Sequence, residues 1–225
     1  MLRAAVRTVL LQLRAAVAAV FSLTWIGNNT NATDGTVFTF TAQGIGTADV
    51  SRKVVFGVFG RRNTPANVTV TATLAGSAAT ERAANTLEIP ATSSSRISVF
   101  EIDQATGTTA DIVATFDATV FRCAIDVASV LNSSGAPNTA SNSAIAASVA
   151  ATVTVPAGGT GYVFAWTNDA TSLTLSGTGV TQNATQTIES GLTRSAVLST
   201  SGSITVTATP SAINSVVIVA VAYGP

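Results

Sequence analysis

From Phe21 onward the chain reads as short runs of alternating apolar and hydroxyl residues, broken every few positions by Gly, Asn, Pro or Ser. This pattern constrains the fold more than any other feature. Alternation places successive side chains on opposite faces of an extended strand, so Ile204-Thr205-Val206-Thr207 turns its aliphatic residues inward and its threonines to water. Strands are expected at 21–25, 37–42, 53–59, 68–74, 87–89, 96–102, 112–117 and 120–131. They continue at 145–155, 162–167, 172–177, 185–188, 196–199, 204–208 and 216–223. Many short strands with turn residues between them, and no second helical pattern, specify a sandwich and not an α/β fold.

Two segments depart from simple alternation. Val54-Val55-Phe56-Gly57-Val58-Phe59 and Val216-Val217-Ile218-Val219-Ala220-Val221 are apolar on both faces, as central strands are when something covers their outer side. A helix, a long loop or another subunit could supply that cover. The polar stretch 132–142 is expected to be a surface loop or a crossover at the chain's midpoint. It leaves two arrangements open, one jelly roll or two small sandwiches, and one jelly roll is favoured because the halves share no recognisable repeat.

Ahead of the β region, Leu2, Val6, Val9, Leu13, Ala16 and Val20 step by fours and threes, the spacing of one apolar helix face. Arg3, Arg7 and Arg14 fall within about 40° of one another beside that stripe, at roughly 100° per residue. An amphipathic helix over 1–21 is therefore expected to anchor or oligomerise the protein, with Leu2, Arg3, Val6, Arg7, Val9, Leu13, Arg14 and Val20 as its docking residues. An uncleaved secretory signal and a membrane-surface helix are the alternatives. Arg14 interrupts the apolar stretch a signal needs, and the interval 15–27 is too short to span a bilayer. The expected fold class is thus mainly β, a jelly-roll type antiparallel β-sandwich over 22–225 preceded by one N-terminal amphipathic α-helix.

Composition narrows the function. Charged residues are 10% of the chain and the net charge is +0, well below the roughly 25% of an ordinary domain, so no field draws in nucleic acid. A surface this poor in charge is covered by hydroxyls, by backbone or by neighbouring subunits, which points to a homo-oligomer. With no histidine and a single cysteine, Cys123, the usual nucleophile–base pairs and thiolate zinc clusters cannot be built. No catalytic residue, cofactor or metal site is expected. Carboxylates such as Glu101, Asp103 and Asp126 could serve a glycosidase only if the fold paired them across a sugar. Arg61 and Arg62 form a compact basic spot read as an intersubunit contact or as solvated charge. Trp25, Tyr162, Trp166 and Tyr223 could make a sugar-stacking platform, although both tryptophans lie in apolar strands and suit a core.

The runs Trp25-Ile26-Gly27-Asn28-Asn29, Asp34-Gly35-Thr36-Val37-Phe38-Thr39-Phe40, Gly44-Ile45-Gly46, Ala48-Asp49, Arg52-Lys53-Val54-Val55 and Gly60-Arg61 carry a resemblance. So do 113–122, 153–159 and Ala208-Thr209-Pro210. Together they resemble β-rich structural proteins of tailed bacteriophages of marine and alphaproteobacterial hosts. The resemblance implies a virion component: a head or tail fibre, a tail-tip protein or a capsid decoration protein, often a trimer, contacting other virion proteins. It transfers no site residue. The alternative is a carbohydrate-binding module or adhesin whose partner is a host surface glycan.

Overall fold

The computed structural model describes residues 20–168, 170–188 and 191–225. Its first half holds nine strands: β1 Ser22–Asn31, β2 Gly35–Gly44, β3 Lys53–Arg62, β4 Val70–Leu74, β5 Ser77–Ala78, β6 Thr80–Ile89, β7 Ser93–Asp103, β8 Thr109–Val120 and β9 Cys123–Leu131. The second half holds β10 Ser134–Ala146, β11 Val149–Val155, β12 Thr160–Thr167, β13 Leu173–Ser176, β14 Val180–Ile188, β15 Gly191–Leu198, β16 Gly202–Pro210 and β17 Asn214–Gly224. All strand pairs are antiparallel.

The strands form two sandwiches with one strand order. In the first, an inner sheet β1-β9-β3-β7-β6 faces an outer sheet β2-β8-β4-β5. In the second, β10-β17-β12-β15-β14 faces β11-β16-β13. With strands lettered B to I along each half, both sandwiches share the B-I-D-G and C-H-E strand orders of a jelly roll, with strand F beside G in each. The F strand of the first half changes sheets, starting as β5 beside β4 and continuing as β6 beside β7. Among the described residues the second half has no counterpart of β5.

Apolar clusters fix the order of the layers. Phe38, Phe56, Phe100 and Phe116 help fill the first sandwich, and Val153, Leu175, Val206 and Ile218 help fill the second. A third cluster lies between the two inner sheets, joining Val55, Phe59, Ile97 and Val99 to Tyr162, Phe164, Trp166 and Val219. The stack runs outer, inner, inner, outer. Each sandwich is therefore the cover that β3 and β17 require, because each buries the second apolar face of the other.

Two expectations are corrected here. The described residues are β throughout, with no helix among them, so the helix-plus-jelly-roll class gives way to an all-β fold. Val20 and Phe21, the last residues of the expected helix, lead into β1 without helical structure, and Val20 is exposed. The rest of the proposed docking set, Leu2, Arg3, Val6, Arg7, Val9, Leu13 and Arg14, lies outside the described residues. The single jelly roll is replaced by two, joined through Asn132-Ser133 between β9 and β10. Asn132 takes the left-handed backbone (φ 56°) that asparagine tolerates, and this turns the chain sharply from one inner sheet to the other.

Candidate functional site

The seam between the inner sheets holds two buried acids, Asp126 and Glu101. Alternation along β9 sends Ala124, Asp126 and Ala128 to the same side, so an acid enters a mainly apolar layer. Asp126 is 1% exposed. Trp25 on β1 donates its indole N–H to both carboxylate oxygens at 3.1 and 3.0 Å, and Tyr162 on β12 donates its hydroxyl to Oδ1 at 2.8 Å. Ser195 on β15 supplies a further hydrogen bond. Burial pushes the Asp126 carboxyl up to about 7, while the bonds from Trp25, Tyr162 and Ser195 pull it back towards its ordinary range.

A second acid in the same seam is held differently. Glu101 on β7 is 3% exposed and is ion-paired to Lys53 Nζ at 3.1 Å and Arg82 Nη2 at 2.9 Å. The Tyr223 phenol of the second sandwich lies against it and is pushed up by burial and by the Glu101 charge. One acid has cations beside it and the other has neutral donors.

At one end of the seam the Phe59 and Trp166 rings stack with centroids 4.9 Å apart, and Arg61 Nη1 donates to Asn168 Oδ1 at 2.7 Å. Arg122, ion-paired to Asp34, and Ile188 help line a cavity there of about 10 Å³, the scale of one water molecule. Of the two arginines singled out by sequence, Arg61 thus bridges the sandwiches. Arg62 bonds Thr64 Oγ1 at 2.8 Å in its own loop. The sugar platform does not form: Tyr162, Trp166 and Tyr223 are buried in the seam, and half-buried Trp25 is tied to Asp126.

The outward surface is the opposite of the seam. β11, β13 and β16 contain no Asp, Glu, Lys or Arg, and their exposed side chains include Thr152, Thr154, Thr174, Ser203, Thr205 and Thr209. Thr152 and Thr205 sit in register with their hydroxyls 2.8 Å apart. Over the whole interval 132–225 the charged residues are Asp169, Glu189 and Arg194. The edges of this outer sheet are closed by side chains from the inner one. Asn138 and Asn142 donate to the carbonyls of Thr154 and Ala150 at 2.7 and 2.8 Å. Across the sheet, Arg194 donates to Leu173 O at 2.7 Å and Gln182 accepts from Leu175 N at 2.8 Å. Sealed edges resist strand addition, which leaves the face as the open surface.

No family model matches the chain, and no curated protein matches it. Among solved structures, a crystal structure of Cucumber Necrosis Virus aligns over 92% of this chain and 87% of its own at 10% identity, with a TM-score of 0.30. A structure of infectious bursal disease virus, Gx strain, aligns over 92% of this chain and 43% of its own at 9% identity, with a TM-score of 0.21. Both are virus structures, and neither is of a tailed bacteriophage. At these scores neither alignment transfers a fold or a function, and the jelly-roll assignment rests on strand order.

Proposed function

We propose that the chain is a structural subunit of a virus particle, whose copies meet through uncharged sheet faces. The observation that carries this reading is the outer face of β11, β16 and β13, a hydroxyl and methyl surface without charge. Interface centres are depleted in charged residues, and a surface so low in charge is prone to association. Strands of seven, four and nine residues, at about 3.3 Å per residue and about 4.8 Å apart, give a face of roughly 300 Å². Stable pairs bury about 800 Å² per partner, so one such contact is weak and an assembly needs many. The jelly-roll strand order adds support by analogy alone, since capsid proteins, lectins and cupins share it. The finer reading, a trimeric fibre or decoration protein of a tailed bacteriophage, rests on the sequence resemblance. Quantitative mass spectrometry of particles purified from the source is expected to find many copies per particle. Its presence in lysate and absence from particles would remove the proposal.

A further inference from the structure

Asp126 stands at the centre of the seam. It faces Gly57 in register on β3 and receives hydrogen bonds from both sandwiches, from Trp25 on one side and from Tyr162 and Ser195 on the other. We propose that Asp126 is a proton-operated latch that holds the two sandwiches together most tightly when its carboxyl is protonated. The contrast with Glu101 carries the argument. Two carboxyls are buried in one layer, yet Glu101 has Lys53 and Arg82 within ion-pair distance and Asp126 has neutral donors. An ionised carboxylate without a cation in an apolar layer is strongly disfavoured, and a protonated one is not.

The surrounding groups leave Asp126 as the one that titrates. β1 contributes Trp25 and β3 contributes Gly57, neither of which ionises. From the second sandwich β12 contributes Tyr162, β15 contributes Ser195, and β17 brings Tyr223 near Tyr162. Burial raises both tyrosines well above their ordinary value, so neither loses its proton near neutrality. Since the folded carboxyl titrates at about 7 and its ordinary value is 3.8, its stabilising contribution is complete below the unfolded value. It is lost as pH rises through the folded one, because there the unfolded chain binds fewer protons than the folded chain.

The test is equilibrium unfolding between pH 4 and pH 8.5. The wild-type folded-to-unfolded ratio should fall by about a thousandfold over that range, the factor that corresponds to a rise of about three pH units. Asp126→Asn should flatten the fall, and Tyr162→Phe, which removes a donor to the carboxylate, should move its midpoint to higher pH. If either variant fails to fold, amide exchange of the wild type reads the same event, with β9 and β12 losing protection as pH rises while β4 and β16 do not. An unchanged pH slope in Asp126→Asn would overturn the proposal, as would an equal loss of protection in inner and outer sheets.

Discussion

Phe164 of β12 lies directly over Gly57 of β3, so close that a Cβ built on the glycine would stand 2.3 Å from the phenylalanine Cδ1. The glycine is the hole and the ring is the knob at the point where the two sandwiches meet. Gly57→Ala should therefore destabilise the protein by about 1 to 3 kcal/mol through overpacking, and Phe164→Ala by about 3 to 5 kcal/mol through the cavity it leaves. Denaturant unfolding of both single variants and of the pair checks this. The double variant should cost less than the sum, because the alanine methyl partly fills the space the ring vacates.

Arg52 is 1% exposed and ties two loops together, donating from Nε to Gln104 O at 2.6 Å, from Nη1 to Gly46 O at 2.7 Å and from Nη2 to Thr106 O at 2.6 Å. Arg52→Ala removes three charge-assisted hydrogen bonds, and Thr106 O keeps a bond from Gln104 Nε2 at 3.1 Å, with an expected cost of about 3 kcal/mol or more. Arg52→Lys should recover less than half of it, since an ammonium cannot reproduce the planar fork. Urea midpoints for the two variants decide the matter.

The asparagines that close the β11 edge provide a separate test. Asn138→Ala and Asn142→Ala should each cost about 1 kcal/mol, the net worth of a hydrogen bond. The double variant should also aggregate faster under native conditions, because an uncharged β11 edge becomes available for strand addition. Light scattering at fixed concentration measures that rate.

Cys123 is fully buried in the first sandwich, and burial pushes its thiol well above the ordinary value. It should react with a thiol reagent only after unfolding, at a rate that follows denaturant concentration. Reaction in native buffer as fast as that of free cysteine would mean that this core opens readily.

Much of the fold is legible in the sequence because alternation reports the faces of a strand directly. Thr205 and Thr207 are read outward and Ile204 and Val206 inward, and the structure agrees, with Thr207 half-buried. The apolar run 54–59 is read as a strand covered on both sides, as it is. The nature of the cover is not legible, because the second jelly roll shares strand order with the first and not sequence. The stretch 132–142 reads as a loop for want of apolar alternation. Residues from Ser134 instead open β10, an edge strand whose Asn138 and Asn142 are selected to bond backbone and not to fill a core. The run 120–131 reads as one strand, although the chain turns at Phe121-Arg122. Asp126 is visible in the sequence as a lone acid inside Ala124-Ile125-Asp126-Val127-Ala128. Its partners are not, since Trp25 and Tyr162 lie 101 and 36 residues away along the chain.

Sedimentation velocity over a concentration series tests the claim of face-to-face assembly most directly, with Thr205→Glu on the uncharged face and Ala105→Glu on an exposed loop of the first sandwich as control. The wild type and Ala105→Glu should associate as concentration rises, whereas Thr205→Glu should remain a folded monomer. A wild type that stays monomeric at every concentration, or a Thr205→Glu variant that associates as strongly as the wild type, would contradict face-to-face assembly.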